Sequence, residues 1–249
     1  VASVTAVNIH IRSKSFHRTD GGQEQLVIRQ LEFSVRSGEF LCLVGPSGCG
    51  KTTLLHLIAG LDKQFDGNIS FNEQDVPPLV GYVFQEPRLL PWRTVRDNID
   101  LVLKPNRPHE DVDRLLENMG LGQVQDVYPE RLSLGMSRRV ALARAFAIQP
   151  DLLLMDEPFV SLDAPTARNV HALLSRVWHQ RPHTVIFVTH DLREAIRLAD
   201  RLVFLSNPPM RVVTDIPVDI PRADRHLPDK IDAFRRQLAT RHPKIRDLI

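Results

Sequence analysis

Apolar and polar positions change phase several times along this chain. "TAVNIHI" and "LVIRQLEFSV", near the start, alternate apolar with polar residues. That period predicts strands with one buried and one exposed face, as in an antiparallel sheet. A polar loop, "SFHRTDGGQEQ", separates them. Four later runs are apolar nearly throughout: "FLCLVG" (Phe40–Gly45), "DLLLMD" (Asp151–Asp156), "TVIFVTH" (Thr184–His190) and "RLVFLS" (Arg201–Ser206). Such runs suit strands buried on both faces in a parallel sheet. Helical spacing marks Lys51–Gly60, Ala164–Trp178 and Leu192–Ala199. The alternation predicts an α/β fold, a mostly parallel sheet with helices on both faces.

From about Thr94 to Gln149 the strand pattern fades, and the chain reads as helices joined by short Pro- and Gly-containing loops. The expected organisation is one domain. Residues 1–93 and 150–206 form a catalytic α/β core with an N-terminal antiparallel β-subdomain, residues 94–149 an inserted helical subdomain, and 207–249 a C-terminal tail. The tail is proline-rich and then carries a charged segment, Asp229–Ala239, expected to be helical.

Composition narrows the class. The 249 residues suit one large domain, and 43% hydrophobic with 25% charged residues is ordinary for a soluble globular protein. A net charge of +2 implies no strong polyanion-binding field, so no nucleic-acid partner is expected. Cys42 and Cys49 make neither a disulfide framework nor a metal-ligand pattern, which points to a reducing compartment. The first residues lack the order of a signal peptide, and no run approaches the roughly 18–20 apolar residues of a membrane span. A cytosolic chain able to dock on a membrane protein is expected.

"LVGPSGCGKTT" follows a predicted strand and opens a predicted helix, the context a phosphate-binding loop requires. Gly45, Gly48 and Gly50 let the backbone curl, so that amides converge on phosphate oxygens at a helix N-terminus. Lys51 supplies a point charge for the β- and γ-phosphates, and Thr52 a hydroxyl for Mg²⁺. The competing reading is a glycine-rich turn that binds nothing. In "LLLMDEP", Asp156 ends an apolar strand where a carboxylate can reach Mg²⁺. Glu157 follows, placed to act as the base that polarises an attacking water. His190 ends a third buried strand and is a candidate partner for the γ-phosphate or the water. Cys49, beside Lys51 and the helix N-terminus, is expected to have a reactive thiolate whose labelling ATP slows.

The order of these pieces resembles the ATPase subunits of ABC transporters over nearly the whole chain. "GPSGCGKTT" is similar to the P-loop, comprising Gly45, Pro46, Ser47, Gly48, Cys49, Gly50, Lys51, Thr52 and Thr53. "YVFQEP" resembles the Q-loop at Gln85, "LSLGMSRRVALARA" the signature motif and its helix, "LLLMDEP" Walker B, "SLDA" the D-loop at Asp163, and His190 the switch histidine. The resemblance implies ATP and Mg²⁺, with Thr52, Gln85 and Asp156 toward the metal and Glu157, His190 and Lys51 in catalysis. Ser133 and Gly135 are the implied phosphate-facing pair of the signature. The usual glycine between them is Leu134, and the usual glutamine after them is Met136. An adenine-stacking aromatic is implied ahead of the P-loop; "IRSKSF" makes Phe16 the candidate and His17 the weaker choice.

The same resemblance implies partners. Two copies pair head to tail as a homodimer, each P-loop facing the other copy's signature. The pair serves an integral membrane permease, and indirectly a solute-binding protein, from the cytoplasmic face of the membrane. "VFQEPRLLPWRTVRDNI" is similar to the ATPases of the nitrate, sulfonate, taurine and bicarbonate importer group, whereas "GMSRR" is similar to those of bacterial phospholipid-trafficking systems. A soluble ABC ATPase acting on nucleic acid or the ribosome would favour twin cassettes or a long coiled-coil insertion. A guanine-reading Asn-Lys-x-Asp element, which a GTPase needs, does not occur. The loop "PRLLPW" offers Leu89, Leu90 and Trp92 as a permease contact, with packing of the insertion onto the core as the alternative.

Overall fold

The computed structural model describes residues 7–17, 24–71, 77–103, 109–160, 162–180 and 183–248. In chain order they form β1 (Val7–Phe16), β2 (Gln25–Val35), β3 (Phe40–Val44), α1 (Lys51–Ile58), β4 (Asp66–Phe71) and β5 (Val80–Val83). Then come α2 (Val95–Asp100), α3 (His109–Asn118), α4 (Leu134–Ala147), β6 (Leu152–Asp156), α5 (Ala164–Gln180) and β7 (Thr184–Thr189). The chain ends with α6 (Leu192–Leu198), β8 (Arg201–Leu205), β9 (Val212–Pro217) and α7 (Pro228–Arg241). Part of the polar loop expected after β1, residues 18–23, and Ser161 of "SLDA" lie outside the described residues. Among the described residues no helix is long and apolar enough to cross a membrane.

The described residues fall into two compact units, one from Val1–Pro77 with Thr184–Ile249 and the other from Pro78–His183. In the first, β2, β1 and β4 form an antiparallel sheet. Val7, Ile9 and Ile11 of β1 are buried while Asn8, His10 and Arg12 are exposed, as the alternation predicts. That phase then breaks: pairing with β4 shifts register between Ile11 and Ser13, and the next buried side chain is Lys14.

The same unit holds three of the apolar strands, β3, β7 and β8. β3 lies between β7 and β8, parallel to both, with β9 antiparallel on the far side of β8. All five β3 side chains are buried, and the Phe40 ring meets Phe187 edge-on at 5.5 Å. Full burial of each such side chain is worth about 1.5–3 kcal/mol, which is why both faces of the strand are apolar. The tail is tied to this sheet. Asp200 accepts from the Phe40 amide and the Arg222 guanidinium. Buried Arg225 donates to the carbonyls of Ala199, Val218 and Ile220. The predicted tail helix is α7. The strand β9, read from sequence only as part of a proline-rich tail, is a correction: "VVTDIP" is half exposed, so its signal is weak, and pairing with β8 supplies the order.

In the second unit β5 and β6 pair in parallel. The helical region opens at Thr94, which caps α2 in a reciprocal box with Asp97. Arg96 pairs with Asp100 within α2 and with Asp113 of α3, which ties the two helices together. Asn98, completely buried, organises the loop ahead of α2. Its Oδ1 accepts from the Leu90 amide, and its Nδ2 donates to the carbonyls of Leu90, Arg93 and Thr94.

Candidate functional site

Within the first unit the phosphate-loop sequence forms the turn between β3 and α1. Gly50, the N-cap of α1, has φ 107°, a torsion that side chains with a Cβ rarely adopt. A Cβ there would also meet Val27 Cγ1 at 2.7 Å, so this position is glycine for two reasons. No side chain caps α1, and its first turn holds no acidic residue. The end of the helix dipole is thus left to an anion. Lys51 is buried, and its ammonium donates to the carbonyls of Gly45 at 2.9 Å and Pro46 at 3.0 Å. The ammonium therefore points back into the loop, where a phosphate chain would lie. Thr52 is exposed beside it. This loop fits a nucleoside triphosphate with its magnesium ion.

β3 and β7 run side by side, with Val44 level with Thr189. The structure therefore brings Gly45 and His190, each one residue past that register pair, to neighbouring strand ends. His190 is exposed there. The carboxyl ends of parallel strands are where α/β folds bind ligands. Behind His190, the Thr189 hydroxyl donates to Glu194, and Asp191 caps α6. Phe16 ends β1 in the same unit and is 43% exposed; His17 is exposed beside it.

Cys49 departs from expectation. Its side chain is fully buried. A Cβ built on Gly45 would sit 3.1 Å from Cys49 Sγ and 3.2 Å from Leu205 Cβ, so the sulfur points under the loop toward β8. The accessible, reactive thiolate expected from sequence is corrected to a core thiol. Cys42, also fully buried, has its thiol pushed well up by burial, with the Glu194 carboxylate adding to the effect.

The second unit gathers the other motifs. β5 and β6 end together, with Val83 level with Met155, so Gln85 and the Asp156–Glu157 pair leave neighbouring strand ends. Asp156 is buried, Glu157 half-buried and Gln85 exposed. Glu157 adopts φ 44°. A non-glycine residue in that region costs of order 1–3 kcal/mol, and such strain collects at functional sites. Burial pushes the Tyr82 hydroxyl upward, with the charge of Asp156 adding to it.

The signature helix explains its own arginines. Ser133 is the exposed N-cap of α4, and its hydroxyl accepts from the Met136 amide at 3.2 Å. Leu134, 45% exposed, opens the helix. Gly135 lies against α5, and a Cβ there would meet Thr166 Cγ2 at 2.7 Å. Arg138 is buried and donates to the carbonyls of Gln85 and Pro158. Arg139 donates to the carbonyls of Met119 and Gly120 just beyond α3. Arg144 donates to the carbonyls of Pro87 and Arg88. Arg138 and Arg144 thus hold the Gln85 loop from one helix, a role the sequence reading did not assign. The available signal was three long cationic side chains on a helix otherwise built from small and apolar residues.

Trp92 is 69% exposed at the loop that Asn98 organises. Nearby, a cavity of about 420 Å³ is lined by Tyr82, Phe84, Leu90, Leu101, Val102 and Arg144, among others.

The family profile described as "ABC transporter" matches residues 28–160. The chain is 42% identical to the aliphatic sulfonates import ATP-binding protein of Bacillus subtilis (strain 168), covering 98% of this chain and 96% of the relative. It is also 42% identical to the nitrate import ATP-binding protein of Synechococcus elongatus, covering 79% of this chain and 77% of that one. Its fold is similar to the dimeric post-hydrolysis state of an ATP-binding cassette bound to ADP and Pi, with a TM-score of 0.74 and 26% identity, covering 86% of this chain and all of that one. The chain belongs to the ABC transporter family of ATP-binding cassettes. It has the α/β fold of those ATPases, and its reaction is hydrolysis of ATP with Mg²⁺.

Proposed function

We propose that this chain is the ATP-hydrolysing subunit of an importer for small oxyanions of the sulfonate or nitrate type, working through a separate membrane permease. The observation that carries this is the 42% identity to an aliphatic sulfonates import ATP-binding protein across 98% of the chain. The nitrate import relative supports the same chemistry, a compact anionic solute, over the phospholipid-trafficking alternative.

In this reading Mg-ATP supplies the phosphoanhydride bond whose hydrolysis drives the cycle. The loop from Gly45 to Thr53 binds the phosphates, with Lys51 as the point charge and Phe16 under the base. Thr52, Gln85 and Asp156 are the residues that would hold the metal. Glu157 takes the proton of the attacking water, and His190 orients it. Ser133 and Gly135 serve the nucleotide of a second copy in a head-to-tail homodimer, a reading supported by the dimeric cassettes of similar fold. The loop carrying Trp92 meets the permease at the cytoplasmic face of the membrane, and a solute-binding protein delivers cargo from the other side.

Reconstitution with its permease and binding protein tests this. ATP hydrolysis should rise when the binding protein carries an alkanesulfonate or nitrate. Stimulation by phospholipid instead, with none by either anion, would favour the trafficking system.

A further inference from the structure

Resting on the assignment of Phe16 to the adenine base, we infer that Lys14 is a positioning residue for nucleotide, fixing the Phe16 ring as a one-sided stacking platform. Lys14 is 2% exposed, although its strand alternation would send it outward, because the register shift after Ile11 turns it in. Its ammonium donates to the Gln64 carbonyl at 2.7 Å and pairs with Asp62 at 2.8 Å. The same nitrogen sits 4.5 Å from the centroid of the Phe16 ring. Both fixed partners lie on the segment just after α1, the helix that the phosphate loop begins. A buried lysine held by an anion and a carbonyl has little rotamer freedom, so the ring above it is held as well. One ring face is occupied by the cation, and the ring is 43% exposed, so a base that stacks on it must take the other face. A cation on one face draws π density from the ring, which favours stacking of the electron-rich adenine ring on the other face.

A second feature links the platform to the loop. Pairing of β1 with β2 slips between Lys14 and Ser15: Lys14 is level with Ile28 and Ser15 with Leu26. Val27 is the extra residue of this bulge. Its Cγ1 is the atom that leaves no room for a Cβ on Gly50, and its carbonyl accepts from the Met210 amide at 2.7 Å. Bulges re-aim side chains and recur next to active sites. Here one bulge sets both where Phe16 leaves the sheet and what packs beneath the phosphate loop. The spacing of base and phosphate subsites is thereby built into β1 and β2.

The test separates base binding from phosphate binding in the full chain. Titrations with ATP and with inorganic tripolyphosphate would be compared for Phe16→Ala, Lys14→Met, and Lys14→Met combined with Asp62→Asn. The double variant removes both charges and keeps the test alive if the single one folds poorly. Lys14→Met should weaken ATP roughly tenfold, within the range of base–aromatic stacking, and leave tripolyphosphate unchanged. In a Phe16→Ala background the Lys14 change should add little further loss. Lys14→Arg, which keeps the cation, should restore most of the ATP affinity. Equal loss for ATP and tripolyphosphate would overturn the inference and make Lys14 structural. So would a loss in Phe16→Ala that no Lys14 variant shares. Unchanged ATP affinity in Phe16→Ala would remove the platform itself, and that failure is visible without any Lys14 variant.

Discussion

Arg138 donates from one guanidinium nitrogen to the carbonyl of Gln85 at 3.1 Å, and the same nitrogen reaches the carbonyl of Pro158 at 3.0 Å. One buried cation thus joins the loop after β5 to the turn after β6, a single residue beyond Glu157. It does so from the helix that the signature serine begins. Movement of that helix would therefore be felt at the backbone of Gln85 and of Pro158.

Replacing Arg138 with methionine keeps the apolar stem and removes both hydrogen bonds. Two carbonyls lose a charged donor, at about 1.5–3 kcal/mol for hydrogen bonds of this kind. The variant should melt several degrees lower, and kcat should fall more than ATP affinity. Wild-type melting together with wild-type kcat would show that this bridge is dispensable.

Glu157→Gln should retain ATP binding and lose about a hundredfold or more in hydrolysis, the usual yield of a positioned base. Phosphate release in the assembled transporter measures it, with titration calorimetry as the binding control. The φ of 44° at this residue belongs to the backbone, so the substitution leaves that strain in place. Turnover at the wild-type rate would move the base elsewhere.

Burial reverses the expectation for Cys49. A maleimide should label it roughly a hundredfold more slowly in the native protein than in urea, because reaction waits on local opening. Labelling kinetics followed by peptide mass mapping would show this. Rapid native labelling that ATP blocks would restore the exposed-thiolate view.

Trp92→Ala should leave the melting temperature of the isolated subunit nearly unchanged, since the ring is 69% exposed and Asn98 holds the loop without it. Affinity for the permease should drop by about thirtyfold, as for an interface anchor. A clear loss of melting temperature would instead make Trp92 a packing residue.

Asp62 gives a pH signature. Burial pushes its carboxyl up, but the hydrogen bonds from Lys14 and the Gln64 amide, with the Lys14 charge, outweigh this and hold it below the ordinary range. A lowered native pKa contributes stability above the unfolded value, about 3.9, and that stability is lost as pH falls through the native value. Asp62→Asn should therefore melt lower than wild type at pH 7, and the gap should close as pH falls below about 4. A gap independent of pH would remove the ion pair as its cause.

The legible parts of the chain were those whose burial is uniform or whose chemistry is local. Phe40–Val44 is apolar on both faces and could be read directly as a core strand. The phosphate loop announced itself through glycine torsions and a lysine in sequence order. Lys14 was not legible, because its burial follows from a register slip between strands far apart in sequence. Val27 looked like any strand valine until its partner across the sheet was known. Asn98 reads as a polar helix residue, yet its amide organises a loop that sequence could only call proline-bounded. β9 and β4 carry mixed burial, so pairing rather than pattern defines them. Where neighbours in space decide the role of a side chain, a single sequence holds no record of it.

The contact between Gly135 and Thr166 has a consequence for how this protein can change. Thr166 is not a yielding neighbour: Asp163 accepts from its amide at 3.2 Å, and its side chain hydrogen-bonds the same carboxylate. Turning the methyl aside would break that cap. Gly135→Ala should therefore fail while Thr166 stands, and a selection for restored growth should return Thr166→Ser or Thr166→Ala alongside it. The two positions would then drift as a pair, and neither would be free to wander alone.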